Sequence, residues 1–160
     1  MSYLKLIKLL YLLDRESLLR WGRPVTTDSY VSMDNGPVVS RIYDLIREEP
    51  DPGAEGIWRK HISEPRNYEV VLLQDPGNSE LSRAEEDLIV EVFRRHGSKS
   101  RWELRDFSHT LPEWSDPNGG TVPISIRDIL RAGKKTEAEI AEVEAEIENV
   151  AFAEAITAPG

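Results

Sequence analysis

Cysteine is absent from this 160-residue sequence, and histidine is scarce. The lack of cysteine excludes disulfides, thiolate zinc sites and cysteine nucleophiles, and it is typical of a protein of the reducing cytoplasm, where we place this one. His61, His96 and His109 are scattered, and none has a second metal-ligating residue at helical or turn spacing. The sequence therefore predicts no metal site and no cofactor.

Long hydrophobic runs and glycine-rich phosphate loops are also missing. Lys5, Lys8 and Asp14 interrupt the apolar N-terminal segment before it reaches a membrane-spanning length, and no signal-peptide cleavage pattern follows. The segment Asn118-Gly119-Gly120 lacks the lysine that follows a phosphate-binding loop. We expect no membrane association and no nucleotide site of that type.

Basic residues are outnumbered, with 20 Lys and Arg against 29 Asp and Glu and a net charge of −9. An acidic chain is repelled by phosphate backbones, which disfavours direct nucleic-acid binding, whereas a basic partner protein would be attracted. No Lys or Arg occurs after Lys135, and the remaining charged residues are all glutamates: Glu137, Glu139, Glu142, Glu144, Glu146, Glu148 and Glu154.

Hydrophobic residues at 39% and charged residues at 31% describe a globular chain whose length suits one domain. The predicted fold class is predominantly α (α+β), a compact helical domain around a buried N-terminal helix, with a small β-hairpin. We divide the chain into a domain at residues 1–135 and an acidic C-terminal helix and tail at residues 136–160.

The N-terminal helix, predicted at residues 4–21, has apolar residues around most of its circumference. Its charged residues form one narrow strip: Lys5, Lys8, Arg15, Glu16 and Arg20. Leu12 and Leu19 lie within that strip, so they contact either a partner or another element of the chain.

Asp14 projects from the middle of the apolar face of this helix. An unpaired buried carboxylate would lose its charge or cost several kcal/mol, so it requires donors from another segment. We interpret Asp14 as a structural anchor, with a general acid or base of raised pKa as the alternative. His109 is the first-choice partner, because each residue would satisfy the other.

Local signals predict the remaining elements. A short extended piece is expected at Tyr30 to Met33, a helix beginning at Gly36-Pro37-Val38, and a hairpin from two strand-like runs at residues 57–63 and 68–74. Capping boxes at Ser82-Arg83-Ala84-Glu85 and Ser100-Arg101-Trp102-Glu103 predict two more helices, and starts at Ser125 and Thr136 predict the last two.

The last helix has apolar residues at helical spacing, opposite a glutamate-rich face. These residues either pack on the domain or bind a partner that accepts a helix in a groove. The candidates for partner contact are Ile140, Val143, Ile147 and Val150.

Three segments together resemble the Panacea (SocA-like) antitoxin domain family over about Leu4 to Leu130. The first is K-L-L-Y-L-L-D-R-E, continuing to W-G-R-P-V-T at Trp21 to Thr26. The second is Y-V-S-M-D-N-G-P-V at residues 30–38, leading into S-R-I-Y-D-L. The third is L-S-R-A-E-E-D-L at residues 81–88, followed by S-H-T-x-P-x-W at Ser108 to Trp114.

This resemblance implies a mostly helical domain that neutralises a cognate toxin by direct protein contact, without enzymatic activity. One family member delivers its toxin to a bacterial protease, so the resemblance also implies an adaptor role as one route. The motif residues carry over as scaffold rather than as catalytic groups: Asp14, Tyr30, Gly36, Pro37, His109 and Trp114.

Two other functions stay open at this point. A small hydrolase-like enzyme would use Asp14 and His109 in a solvent-reachable pocket. A regulatory interaction module would lack both a toxin and a reaction, although net acidity and the absence of a basic recognition helix argue against DNA contact.

Overall fold

The computed structural model describes residues 1–47 and 55–157. The elements follow in the order α1 (Tyr3–Trp21), β1 (Tyr30–Met33), β2 (Gly36–Val39), α2 (Ser40–Ile46), α3 (Glu55–His61), α4 (Arg83–His96), α5 (Arg101–His109), β3 (Val122–Ile124), α6 (Ile126–Ala132) and α7 (Glu137–Thr157). The sequence predicts the end of the second helix near Glu49-Pro50, a turn at residues 51–56 and a tail at residues 157–160. Residues 48–54 and 158–160 of these lie outside the described residues, and the turn is wrong at residues 55–56, which belong to α3.

Helix α1 lies at the centre of the molecule, as predicted. One side of it contributes Ile7, Tyr11 and Leu18 to a core shared with the sheet, α6 and α7. Another side contributes a second apolar cluster against α4 and α5, made of Leu9, Leu12, Leu13, Leu88, Val92 and Leu104. The mostly helical fold class with a small sheet is confirmed.

The exposure of two residues on α1 was predicted wrongly. Lys8 is fully buried, although the helical pattern placed it in the charged strip. The same pattern places Trp21 on the side of the helix that carries Ile7 and Leu18, which are buried, but Trp21 is exposed. A helical pattern shows which residues share a face, but it does not show which faces other elements cover.

The sheet is antiparallel, with strand order β2-β1-β3. Tyr30 pairs with Val39 on one side and with Ile124 on the other, and Met33 pairs with Gly36 across the tight turn. The extended piece predicted at Tyr30 to Met33 is therefore confirmed as β1. The helix predicted to begin at Gly36 is wrong there, because Gly36–Val39 is β2 and α2 begins at Ser40.

The predicted hairpin at residues 57–74 is wrong. Residues 55–61 form α3, and the segment after it makes only isolated bridges: Ile62 to Leu72, Arg66 to Glu69 and Ser2 to Glu69. Its backbone also pairs with the N-terminus, since the N–H of Tyr3 donates to the carbonyl of Tyr68 at 3.0 Å. Strand-like composition predicts a residue's preference, whereas the available neighbours decide the pairing.

The helices in the second half of the chain begin at the predicted caps. The hydroxyl oxygen of each capping serine accepts a hydrogen bond from the backbone N–H three residues later, and the serine's own N–H donates to the carboxylate of that later residue. The capping serines are Ser82, Ser100 and Ser125. Thr136 does the same with Glu139 ahead of α7. The helical pattern also places Phe93 on the inward face of α4, but its side chain is exposed.

Candidate functional site: the motif residues and two surface features

Asp14 is fully buried, and the segment that follows α1 supplies its hydrogen bonds. Oδ1 accepts the N–H groups of Val25 and Thr26, both at 2.9 Å, and Oδ2 accepts the Tyr30 hydroxyl at 3.0 Å and the Thr26 hydroxyl. Gly22 ends α1 in the left-handed conformation, which turns the chain back toward the carboxylate. Burial raises the pKa of Asp14, while the hydrogen bonds from Thr26, Tyr30 and Val25 oppose that rise.

The expected pairing of Asp14 with His109 is wrong. Within the described residues no hydrogen bond or ion pair joins them, because nearby donors already fill the carboxylate. His109 stacks instead on Trp114, with ring centroids 4.2 Å apart and planes at 25°. Its Nε2 is buried without a hydrogen-bond partner in the described structure. Burial, followed by Lys8 and Arg105, lowers the pKa of His109, and this favours the neutral ring.

Gly36 and Pro37 pack where α1 and α5 meet the hairpin. Gly36 has φ +90°, and a Cβ there would lie 3.0 Å from Lys8 Nζ and 3.2 Å from His109 Cδ2, and would collide with Ser108 Oγ. Only glycine fits this position without strain. Lys8 Nζ donates to the Pro37 carbonyl at 2.6 Å, and burial lowers the pKa of Lys8 to about 7.

Glu113, whose side chain is buried, precedes Trp114 and connects this part of the chain to the residues around Asp14. Its Oε1 accepts Tyr11 Oη at 2.9 Å and Arg15 Nε at 2.6 Å, and its side chain is fully buried. The Tyr11 ring packs edge-on against Tyr30, with centroids 5.7 Å apart, and Tyr30 in turn donates to Asp14. Neither the role of Glu113 nor the burial of Lys8 was predicted, since the partners of both residues are distant in the sequence.

The loop after α5 is fixed to the hairpin by two hydrogen bonds. Trp114 Nε1 donates to the Met33 carbonyl at 3.2 Å, and the N–H of Ser115 donates to Ser32 Oγ at 3.2 Å. All six motif residues predicted from the sequence therefore lie in or beside one packed region joining α1, the hairpin and the end of α5. The geometry shows side chains that hold segments together, and we propose that this is their role.

The part of the chain that the structure describes contains no group of three or more His, Asp or Glu side chains placed to hold a metal ion. Among the same residues, no helix combines the length and the hydropathy needed to cross a lipid bilayer.

The charged-strip leucines are covered by the chain itself. Leu12 is buried in the cluster against α4 and α5, and Leu19 packs against the main core. A Cβ at Gly133, just after α6, would collide with the Leu19 side chain. Other elements of the chain therefore cover Leu12 fully and Leu19 in part, and a role of these residues in partner contact stays a prediction.

Helix α7 packs on the domain through its N-terminal half. Ile140 is fully buried in the main core, and Val143 is partly buried against it, close to Gly22. Arg127 on α6 donates to Glu144 and Glu137, which fixes the helix from its polar side. Ile147 is half-buried, while Val150 and Phe152 farther along are exposed.

An apolar strip on the surface, here called the 71–73 strip, was not predicted as a site. Val71, Leu72 and Leu73 are each 55 to 60% exposed, and Ile57 on the neighbouring helix α3 is exposed as well. The N–H of Leu73 donates to the His61 carbonyl at 2.7 Å, so the strip is attached to the C-terminal end of α3. Contiguous exposed apolar residues mark protein interaction sites. The unbroken run V-V-L-L was the signal in the sequence.

A surface cavity of about 460 Å³ lies beside the turn between β1 and β2. Its aromatic walls come from Tyr3, Tyr43, Tyr68 and Trp102, with Arg101 among them. Burial raises the pKa of Tyr3, and Tyr43 and Tyr68 raise it further, whereas Arg47 and Arg101 lower it. We name this feature the Arg101 cavity.

Comparison with known protein families assigns the chain. The family model described as "Antitoxin SocA-like, Panacea domain" matches residues 6–115, more than half of the sequence. The chain belongs to this antitoxin-like domain family, as the resemblance predicted, and the family implies a toxin as partner. Comparisons with curated proteins and with solved structures gave no significant match.

Proposed function

We propose that this protein is the antitoxin of a toxin–antitoxin pair and neutralises its toxin by direct binding, without catalysis. The observation that carries this proposal is the family match over residues 6–115. The structure supports it through the placement of the motif residues. Asp14 accepts its hydrogen bonds from the chain itself and is not paired with His109, so the enzyme alternative loses the pair on which it depended.

The net charge of −9 favours a basic toxin, because opposite net charges accelerate association. We propose the 71–73 strip as the principal contact surface. Its three residues are apolar, consecutive in the sequence and exposed, whereas Leu12 and Ile140 are buried in the core. Membership in the family leaves two routes to neutralisation, blockade of the toxin or its delivery to a protease.

The experiment is co-expression of this chain with the product of the neighbouring reading frame, scored by growth. We expect the neighbour alone to stop growth and the wild-type chain to restore it. A harmless neighbour, or a toxic one that the chain does not counter, would contradict the antitoxin proposal. The amount of toxin separates the two routes, since delivery to a protease lowers it and blockade leaves it unchanged.

A matched pair of variants tests the proposed surface. Leu72→Asp places a charge in the strip and should abolish rescue, while Val90→Asp on α4 places the same charge at a residue of similar exposure, 54% against 60%. Both substitutions are at the surface, so thermal melting should stay close to wild type. Rescue by Leu72→Asp together with failure by Val90→Asp would assign the toxin to α4 instead.

A further inference from the structure

The Arg101 cavity has the size of a small-ligand site and a lining that mixes apolar and aromatic groups. Its apolar part comes from α1 and the hairpin, namely Leu4, Ile7, Met33 and Val38. An aliphatic or aromatic side chain entering it would leave water for a largely apolar surface, which is favourable.

Arg101 is the cationic group of this cavity. Its guanidinium lies 4.8 Å from the ring centroid of Trp102 and 5.9 Å from that of Tyr68. No carboxylate of the described residues pairs with it. Cation–π contacts do not use the N–H donors of a guanidinium in hydrogen bonds to another group, so these donors stay available for a carboxylate.

Asp34 lines the same cavity and carries the opposite charge. Its Oδ1 accepts the N–H of Gly119 at 3.0 Å, and no ion pair joins it to Arg101. The cavity therefore presents a cation and an anion that do not neutralise each other. A peptide segment supplies both complements, a carboxylate for Arg101 and a backbone N–H for Asp34.

We propose that the Arg101 cavity binds a short peptide segment of the toxin, in which an apolar side chain fills the cavity and an adjacent carboxylate pairs with Arg101. The assignment of this peptide segment to the toxin rests on the antitoxin function proposed above. An acidic residue in the toxin segment is compatible with a basic toxin. Net charge governs the long-range attraction between the two proteins, whereas binding in the cavity depends on one local ion pair.

The cavity is tested directly with capped peptides that differ in one charge, acetyl-Gly-Asp-Phe-Gly-amide and its Asn analogue. Binding is followed by the Trp102 indole N–H resonance, assigned with Trp102→Phe. We expect the Asp peptide to shift this resonance at millimolar concentration and to bind about tenfold more tightly than the Asn analogue, because only it forms a charge-assisted pair. Adenosine monophosphate serves as a competing class of anion.

Two arginine variants on the same helix control the assignment. Arg101→Gln should remove the preference for the Asp peptide, while Arg105→Gln should leave it unchanged. Arg105 also lies over Trp102, at 5.0 Å, but it pairs with Asp106 at 2.6 Å and does not line the cavity. Equal affinities for the two peptides, no shift with either, or binding of the nucleotide alone would each overturn the proposal.

The growth assay distinguishes this proposal from the antitoxin function itself. If the cavity holds the toxin, Arg101→Gln should weaken rescue and Arg105→Gln should not. Full rescue by Arg101→Gln would overturn the assignment of the cavity to the toxin and leave the antitoxin function intact. If the wild-type chain does not rescue, the proposed function fails, and the peptide titration alone decides whether the cavity binds this class of segment.

Discussion

Two buried charged groups on α1 show how single residues order this fold. Asp14 accepts hydrogen bonds from the segment that follows the helix, and Lys8 donates a hydrogen bond to the Pro37 carbonyl in the hairpin. Each would be costly in the core without its hydrogen bonds, since an unpaired buried charge lowers stability by several kcal/mol. A buried charged side chain therefore fixes the position of a neighbouring segment, because only one position of that segment satisfies its hydrogen bonds.

Asp14→Ala removes the acceptor of Val25, Thr26 and Tyr30 at once. We expect the free energy of unfolding to fall by about 3–5 kcal/mol, because buried donors are left without partners. Asp14→Asn keeps one oxygen for the two backbone N–H groups, and its amide can donate to the hydroxyls, so we expect a smaller loss. Urea denaturation measures both, and equal losses would mean that the negative charge itself is what the segment requires.

Lys8 gives the fold a pH dependence whose sign can be stated. Its pKa is about 7 in the folded chain, against an ordinary value of 10.5. Between these values the unfolded chain holds a proton that the folded chain has released, so stability rises with pH. Relative to Lys8→Met, the wild-type unfolding free energy should increase from about pH 7 upward by at most about 1.4 kcal/mol per pH unit, and stay level below pH 7.

Urea denaturation from pH 6 to pH 10 measures this difference. Lys60, which is exposed on α3, provides the control, and the difference between wild type and Lys60→Met should not change with pH. A constant difference for Lys8→Met as well would show that the buried amine stays charged.

At the scale of elements, α7 is divided between two environments. Its first turns pack on the core through Ile140 and Val143, whereas Val150 and Phe152 are exposed. The sequence left packing and partner binding open for this helix, and the structure shows packing for its N-terminal half. The division of the chain at residue 135 stays a prediction.

Charge substitutions at the two ends of α7 test this division. Ile140→Asp buries a carboxylate without donors, and we expect it to cost at least about 3 kcal/mol. Val150→Asp changes an exposed residue and should stay within about 0.5 kcal/mol of wild type. Thermal and urea unfolding measure both, and tolerance of Ile140→Asp would mean that α7 detaches without disturbing the core.

At the scale of the whole molecule, the features that the sequence predicted correctly are those with a local signal. Caps at Ser82, Ser100 and Thr136 located helix starts correctly, since a cap is satisfied within four residues. The central position of α1 followed from its apolar circumference. Fold class and family were therefore readable without coordinates.

The errors share a physical cause, which is that they depend on distant neighbours. The segment at residues 68–74 has strand composition, but it pairs with the N-terminus and residues 61–63 rather than in a regular hairpin. Pro37 has the sequence context of a helix start but lies in β2. Its carbonyl accepts a hydrogen bond from Lys8, which is 29 residues away in the sequence. The Arg101 cavity is lined by residues from six separate segments of the chain, and no local pattern predicts such a junction.

The contacts of Asp14 also bear on the order in which the chain assembles. They span only 11, 12 and 16 residues, whereas those of Glu113 with Tyr11 and Arg15 span 102 and 98. Short loops close quickly and at low entropic cost. A nascent chain that has emerged as far as Tyr30 already contains every donor that Asp14 needs, so the first helix and strand can be joined before the residues that later enclose them have been synthesised.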